Sequence, residues 1–500
     1  MKTIQYRLFF TFVALLTTIV LVAEPPVHHS RIGDKVTSAD GKITITNIGK
    51  KQNFAWSDTA TRDVDVHSPK SVNFHPDGSR YYVNSLEGCA TVVYDMATNK
   101  KVKVIHHTFN SGEGALWNTP SGYYKFTHYP DGASRSFSGK PVESTFSHGG
   151  RYLWVPYYRR TFDINAQDPS AIAIIDTKTD SIVRMMETGP LPKMIVASHD
   201  SKLVAVTHWG NNTVGFVDIS DKDPVNWHHL PYAVVDYELK LNFSLTSAVN
   251  RDGNSGLLLR GTVFTPDDKY LLVGCMGGGG IAVIDVKSRE YLGKIGGISN
   301  ARHLIIKNGY LYASCNAAGL VTRIKLDSVI NAIEHRSGKA ITVGGWETCK
   351  VGGGARTIEA SPSGNYVFAA CNSASALYVV DTRTMKTVAQ ITVDSYPVGL
   401  HISSDGSFVV VTSQARSGLG GNAVNLYKVE YADPEVSSDP TPVVPTDEDN
   451  DSIQADSIAS GGIDLPSINA DWAKENMWYL VGGGLALIIL LAFLASRRKR

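Results

Sequence analysis

Residues 69–100 read PKSVNFHPDGSRYYVNSLEGCATVVYDMATNK, and this stretch decides the fold. Apolar runs such as residues 81–83 and 91–94 alternate with turn chemistry, of which His75-Pro76-Asp77-Gly78 is the clearest case. β-branched and aromatic residues separated by such turns predict a meander of four short antiparallel strands. Both faces of the meander are apolar, so one unit cannot be stable alone.

The same unit recurs along the chain. The first strands align as PKSVNFHPDG from Pro69, PVESTFSHGG from Pro141, PKMIVASHDS from Pro192, LRGTVFTPDD from Leu259, ARHLIIKNG from Ala301, ARTIEASPSG from Ala355 and PVGLHISSDG from Pro397. Seven four-stranded units at this spacing predict an all-β fold, a seven-bladed β-propeller over residues 67–431, because radial closure leaves no long sheet edge exposed.

The stretches FHPDGSRYYVN from Phe74 and AIAIIDTKTD from Ala171 resemble the blades of the YVTN-type propeller repeat family. The resemblance covers about residues 67–431 and implies a seven-bladed propeller like those of surface-layer proteins and cytochrome d1 haem domains. Related blades also serve lactonases and nucleic-acid binders, so the resemblance implies a fold and no particular reaction. Residues 24–66 form a lead-in that we expect to donate a ring-closing strand.

Both ends of the chain predict a location outside the cytoplasm. Residues 1–23 have the basic start and apolar run of a signal peptide, with an uncleaved anchor as the alternative. Residues 432–475 read as an acidic flexible tether, and residues 476–500 as one transmembrane helix with a basic cytoplasmic tail. A sorting signal for attachment to a cell envelope would look similar. We therefore predict a single-pass protein of the cell membrane with an extracytoplasmic propeller.

Several polar residues that recur in the repeat are explained by turn formation or by packing between blades. The Asp that ends most third strands is expected to cap the following turn. Five cysteines allow at most two disulfides, and Cys349 is placed to reach Cys315 or Cys371, although a buried thiol also fits a position that requires a small residue. The sequence has no metal-ligand spacing and no haem-attachment motif, so we predict no metal and no cofactor. Haem ligation by His208 or His303 is implied only by the family resemblance.

The second position of the repeat is basic in five of the seven copies. These residues are Lys70, Lys193, Arg260, Arg302 and Arg356. If they converge at one end of the central channel, they form a positive ring in a chain whose net charge is only +1. Such a ring suits a carboxylate, a phosphate or an acidic glycan. The alternative is that each cation pairs with a neighbouring carboxylate or extends into solvent.

Four more residues are expected on the same face, namely Arg159, Arg160, His208 and His303. The predicted function is a binding or scaffold module for a protein partner or an anionic envelope component. The alternative is a propeller enzyme of lactonase or redox type using that face, although no spacing identifies a nucleophile and its base. Binding of single-stranded nucleic acid is disfavoured because the protein is expected outside the cytoplasm.

Overall fold

The structure is a computed structural model that describes residues 28–53, 58–117, 122–124, 136–166, 168–240, 256–414 and 422–435. Within these residues the strands form seven antiparallel sheets, one for each predicted repeat. The seven-bladed propeller is therefore confirmed. The predicted signal peptide (1–23), most of the tether (432–475) and the predicted transmembrane helix (476–500) lie outside the described residues.

Each blade has four main strands, and the strand nearest the channel comes first. The chain starts with β1 (Lys35–Thr37) and β2 (Ile43–Gln52); blade 1 is β3 (Pro69–Phe74), β4 (Arg80–Ser85), β5 (Ala90–Asp95) and β6 (Lys100–His106). Blade 2 contains β7 (Thr108–Asn110), β8 (Ser136–Pro141), β9 (Thr145–Ser147), β10 (Tyr152–Arg160), β11 (Pro169–Asp176) and β12 (Ser181–Pro190). Blade 3 is β13 (Pro192–Ala197), β14 (Leu203–His208), β15 (Thr213–Asp218) and β16 (His228–Val234).

The remaining blades follow the same order. Blade 4 is β17 (Leu259–Phe264), β18 (Tyr270–Cys275), β19 (Ile281–Asp285) and β20 (Tyr291–Ile295), extended by β24 (Ala340–Ile341). Blade 5 is β21 (Ala301–Lys307), β22 (Tyr310–Cys315), β23 (Leu320–Lys325) and β25 (Glu347–Lys350), with helix α1 (Leu326–Glu334) before its last strand. Blade 6 is β26 (Ala355–Ala360), β27 (Tyr366–Cys371), β28 (Ala376–Asp381) and β29 (Lys386–Thr392). Blade 7 begins with β30 (Pro397–Ile402), β31 (Phe408–Ser413) and β32 (Ala423–Tyr431).

The first strands of the blades form a closed ring around the channel. Contacts link β3 to β30, β30 to β26, β26 to β21, β21 to β17, β17 to β13 and β13 to β9. The Asn73 side-chain amide donates to the Ser144 carbonyl at 2.8 Å and joins blade 1 to blade 2. These seven first strands are called the inner strands below.

The N-terminal lead-in supplies the outer strand of blade 7. Strand β2 pairs antiparallel with β32 from Ile43 opposite Tyr431 to Gln52 opposite Ala423, and β1 pairs with β2. The Lys50 ammonium lies 2.8 Å from the buried Asp394 carboxylate, which ties the same strand to blade 6. The two ends of the propeller are thus held together by backbone hydrogen bonds.

The hydrophobic core lies between facing blades. One cluster joins Val83, Val92 and Tyr94 of blade 1 to Val410 and Leu426 of blade 7, all with at most 3% of their surface exposed. Burial of this kind stabilises a side chain by about 1.5–3 kcal/mol relative to exposure. The free energy of folding therefore comes from packing neighbouring blades together, as the apolar faces of a single repeat predict.

The cysteines take no part in cross-links. All five are free thiols, and Cys275, Cys315, Cys349 and Cys371 are buried. Burial raises the pKa of Cys371 to about 12 and that of Cys275 to about 11. A disulfide from Cys349 to either neighbour is therefore absent, and these thiols act as small apolar groups between blades.

No helix in the described ranges has both the length and the apolar character to cross a membrane. The helix α1 has nine residues and packs Leu326, Val329 and Ile333 against the core of blades 4 and 5.

Candidate functional site

Every inner strand carries one extra residue near its start. Ala301 lies opposite Cys315 and His303 opposite Ser314, so two steps on the inner strand match one on its partner. The same shift occurs in blades 1, 3, 4, 6 and 7. In blade 2, Pro141 faces Tyr157 and Thr145 faces Trp154, four steps against three. A β-bulge of this kind re-aims a side chain. The bulge turns the side chain at position 2 of the repeat towards the channel, next to the side chain at position 3.

Below the bulges lies a cavity of about 300 Å³ on the propeller axis. All seven inner strands line it through positions 3 to 5 of the repeat. Its position-5 residues are Asn73, Thr145, Val196, Val263, Ile305, Glu359 and His401. The position-2 side chains therefore lie at one end of this cavity.

Lys70, Arg260, Arg302 and Arg356 form a cation cluster at that end. Lys70, Arg260 and Arg356 each expose at most 8% of their surface. Burial, and then the positive charges of Arg356 and Arg260, hold the pKa of Lys70 well below its ordinary value. Burial and the same two charges also hold the pKa of Arg302 well below its ordinary value. Four of the five predicted basic residues thus converge.

One carboxylate reaches this cluster. Arg260 Nη2 lies 3.2 Å from Glu143 Oε1, although the two residues belong to blades 4 and 2. This ion pair joins the cation cluster to blade 2. Arg356 Nε donates to the Val398 carbonyl at 3.1 Å, and Arg302 Nη1 lies 3.3 Å from the Met276 sulfur.

Two groups of the cluster lack a partner among the described residues. Arg302 Nε is buried without a hydrogen-bond acceptor. The Lys70 ammonium has no hydrogen bond or ion pair there, and burial in the midst of like charge explains its lowered pKa. A buried cation without a compensating acceptor is costly, so these two groups mark where an anion would be stabilised.

Lys193 differs from the other four basic residues of the repeat. Its ammonium lies 4.1 Å from the centroid of the Tyr158 ring and 5.1 Å from that of Trp209. Cation–π contacts with two aromatic rings stabilise its charge locally. The Lys193 ammonium is therefore held by the rings of Tyr158 and Trp209.

Arg159 and Arg160 do not join the cluster. Arg159 Nη1 donates to the Asp163 carbonyl at 3.3 Å. Arg160 is 1% exposed, donates to the Pro169 carbonyl at 2.9 Å and lies 4.6 Å from the Phe162 ring centroid. Both contact the loop between β10 and β11, and their role as ligand-binding residues stays a prediction.

His208 is also a structural residue. It is fully buried, and Nδ1 lies 2.7 Å from Thr213 Oγ1 while Nε2 lies 2.8 Å from Thr188 Oγ1. Burial lowers its pKa to about 3, so the ring is neutral. It lies at the end of a second strand with its side chain between Thr188 of blade 2 and Thr213 of blade 3, and its role in ligand binding stays a prediction.

His303 does line the cavity, and so does His401, which the sequence reasoning missed. Nδ1 of His303 accepts from the Ile358 amide at 3.4 Å, and Nδ1 of His401 accepts from the Phe74 amide at 3.3 Å. Burial lowers the pKa of both to about 4, so both rings are neutral near pH 7. With Nδ1 as acceptor, each neutral ring carries its proton on Nε2.

Glu359 is the second group that the sequence reasoning missed. It lines the cavity at position 5 of blade 6, and burial raises its pKa to about 7, while Lys307 acts in the opposite direction. No ion pair of Glu359 occurs among the described residues. Reading position 5 down the seven aligned repeats would have found both Glu359 and His401.

The cavity wall has two characters. Blades 3, 4 and 5 present Val196, Val263 and Ile305 at position 5, and Met194 adds to this apolar side. Blades 6, 7, 1 and 2 present Glu359, His401, Asn73 and Thr145. Because these two sets come from consecutive blades, an apolar half of the wall faces a polar half.

The histidine–carboxylate contacts of the described residues lie away from the cavity. A histidine in contact with a carboxylate is one arrangement that supports general acid–base chemistry. The histidine–carboxylate pairs of the described residues are His29–Asp394, His75–Asp77 and His199–Asp268, and none of these lines the cavity. The described part of the chain also holds no group of three or more His, Cys, Asp or Glu placed to bind a metal.

Comparisons with known proteins bear on the fold. No protein-family model matches the chain, and no curated protein sequence is significantly similar to it. Hydrazine synthase of Kuenenia stuttgartiensis is similar in structure, with a TM-score of 0.51 and 13% identity over 75% of this chain and 99% of that one. The Cps50 (Swd1) β-propeller domain from Myceliophteria thermophila has a TM-score of 0.46 and 13% identity over 73% and 97%. At this identity, the similarity to hydrazine synthase shows a shared architecture.

Proposed function

We propose that this protein is a membrane-anchored, extracytoplasmic β-propeller that acts as a binding or scaffold module, and that the basic end of its channel binds an anionic ligand or an acidic group of a protein partner. The observation that carries the proposal is the cation cluster. Lys70 and Arg302 are held among like charges, and Glu143 offsets Arg260.

An anion at this end would relieve several costs together. It would accept from Arg302 Nε and from the Lys70 ammonium, and it would reduce the repulsion that lowers both pKa values. Guanidinium groups bind carboxylates and phosphates through two parallel hydrogen bonds, so a cluster of three arginines favours an oxyanion. The adjacent cavity leaves room for the body of a small ligand.

The membrane anchor in this proposal is supported by the sequence alone. Residues 478–495 are almost entirely apolar and are followed by Arg497-Arg498-Lys499-Arg500. The test is alkaline extraction of membranes from cells that express the full chain or a chain ending at Pro445. The full chain should stay with the membrane while the shorter chain is released, and release of both would contradict the anchor.

Anion binding is tested by thermal shift and titration calorimetry with phosphate, sulfate and acetate. Wild type should gain thermal stability, and Arg302→Ala should lose at least about tenfold in affinity because charge-assisted hydrogen bonds contribute about 1.5–3 kcal/mol. Arg383→Ala is the matched control, since Arg383 is exposed and pairs with Asp381 at a turn of blade 6. Equal shifts in wild type and Arg302→Ala would contradict the proposed site.

A further inference from the structure

We propose that the ligand of this channel is a small zwitterion with a carboxylate at one end, an ammonium group at the other and an aliphatic chain between them. The carboxylate lies at the cation cluster, the chain lies against the apolar wall, and the ammonium pairs with Glu359. This inference rests on the proposed function, because it names the class of anion that the cluster binds.

The anionic end is defined by the groups already described. Lys70 and Arg302 Nε have no partner among the described residues, and both lie one repeat position before the cavity lining. A carboxylate is small enough to reach them from the cavity and planar enough to accept two hydrogen bonds from one guanidinium.

At the other end of the same cavity, an acidic side chain lacks a cationic partner among the described residues. Glu359 lines it, and the described residues give this carboxylate no ion pair. The cation that acts on it is Lys307, one residue beyond the lining part of β21, and its attraction is weaker than the cost of burial. The neighbouring His401 is neutral and cannot compensate a carboxylate. A ligand ammonium would supply the charge that Glu359 lacks.

The distance between the two ends sets the length of the ligand. Arg356 and Glu359 are three residues apart on the same inner strand, and one of those steps belongs to the bulge. At about 3.3 Å per residue the two ends are roughly 8–10 Å apart. A cavity of about 300 Å³ holds about ten water molecules, so the ligand has a similar number of non-hydrogen atoms.

The middle of the ligand is defined by the wall between these ends. Met194, Val196, Val263 and Ile305 line one side of the cavity with apolar surface. Methylene groups gain about 0.8 kcal/mol each on leaving water for such a surface. The opposite wall would hydrogen-bond water or the ligand ends, so a chain of methylenes lies on the side of blades 3 to 5.

The test is a set of calorimetric titrations with ligands that differ in one feature. The probes are 4-aminobutanoate, 6-aminohexanoate, 8-aminooctanoate, hexanoate and hexylamine, with acetate and phosphate as simple anions. We expect 6-aminohexanoate to bind at least about tenfold more tightly than hexanoate or hexylamine, because each lacks one charged contact. Affinity should also peak at one chain length.

Glu359→Gln separates the two ends. It should remove the preference of the site for 6-aminohexanoate over hexanoate and leave hexanoate binding within about twofold, and Glu290→Gln, at an exposed turn of blade 4, is the matched control. Binding of an ammonium at Glu359 should also release protons near pH 7, which is measured by repeating the titration in buffers of different ionisation enthalpy. The release should be absent for hexanoate and in Glu359→Gln.

The outcomes distinguish this inference from the proposed function. Equal affinity for hexanoate and 6-aminohexanoate in wild type overturns the zwitterion, while binding of acetate or phosphate that is sensitive to Arg302→Ala still supports an anion site. Hexylamine binding as tightly as 6-aminohexanoate also overturns it. Absence of binding by every anion, simple or aliphatic, overturns both proposals.

Discussion

Two columns of charged residues repeat around this propeller, and the fold treats them in opposite ways. The acidic column ends the third strands, at Asp95, Asp176, Asp218, Asp285 and Asp381. Each of these carboxylates accepts a backbone amide of its own turn, from Thr98, Lys178, Ser220, Ser288 and Arg383 respectively, at 2.8–2.9 Å. The basic column consists of Lys70, Lys193, Arg260, Arg302 and Arg356 at the second position of the repeat, and all of these except Lys193 converge in the cation cluster.

The difference shows when a repeated charge indicates function. A residue at the outer end of a third strand is far from its copies in other blades, so each Asp must be satisfied locally. A residue at the start of an inner strand is brought close to its copies, and Lys70, Arg302 and Arg356 then lie near Arg260, which pairs with Glu143. The repeated turn explains why Asp recurs in the acidic column. It does not explain why basic residues recur in the basic column, where like charges are brought together.

The largest effect on stability is expected from replacing Glu143, the carboxylate that pairs with Arg260 of the basic column. Glu143→Gln removes the carboxylate that contacts Arg260 and should lower the free energy of unfolding by about 3 kcal/mol, since it leaves a buried cation without its partner. Urea denaturation in an anion-poor buffer measures the loss. Phosphate should restore part of it, and a loss of less than about 1 kcal/mol would remove the contrast between the columns.

Glu359 should make stability depend on pH. Its pKa is raised to about 7 from an ordinary 4.5, so the unfolded chain loses this proton first. The stabilisation is present below pH 4.5 and is lost as the pH rises through 7. Glu359→Gln should therefore nearly match wild type at pH 4.5 and exceed its free energy of unfolding by about 3 kcal/mol at pH 8. A difference that does not change between these pH values contradicts the burial of the carboxyl group.

Removing one cation should stabilise the ligand-free protein. Arg302→Met replaces a side chain held among like charges with an apolar one beside Met276, and the free energy of unfolding should rise by about 1 kcal/mol. Affinity for acetate should fall in the same variant. Urea denaturation tests the expected gain in stability, and calorimetry on the same preparation tests the expected loss of acetate affinity. A loss of stability would mean that Arg302 supports the fold.

The smallest effect is expected in the acidic column. Asp381→Asn keeps an acceptor for the Arg383 amide and weakens an ion pair with an exposed arginine, so the free energy of unfolding should fall by less than about 1 kcal/mol. Anion binding in the channel should be unchanged. Urea denaturation and acetate titration would detect a larger loss or an altered affinity, either of which would contradict the local role of this carboxylate.

The repeat made the fold and the basic column predictable from sequence. Turn residues such as Pro76-Asp77-Gly78 and the alignment of the inner strands are local signals, and the bulge acts at the same repeat position in every blade. What each basic side chain meets depends on residues distant in sequence. Lys193 meets Tyr158 and Trp209, whereas Arg260 reaches Glu143 two blades away.

Two of the predicted site residues lie apart from the cation cluster for a shared physical reason. Arg160 and His208 end second strands, an end that the repeat alignment places next to the channel. Strand β10 continues beyond its pairing with β9 and pairs with β8 of the same blade, and the His208 ring lies between blades with both nitrogens bonded. Glu359 and His401 were missed because they lie within a strand, where only side-chain alternation distinguishes the channel side from the core side.

The pairing of β2 with β32 has a consequence for the order of folding. The residues that pair, such as Gln52 and Ala423, are separated by about 370 positions in the chain. At a synthesis rate of about 5–20 residues per second, β2 waits on the order of half a minute for its partner. The last closure is then a contact of very high sequence separation, which is slow to form and also slow to lose. A propeller closed in this way should owe its lifetime to a high unfolding barrier as much as to its equilibrium stability.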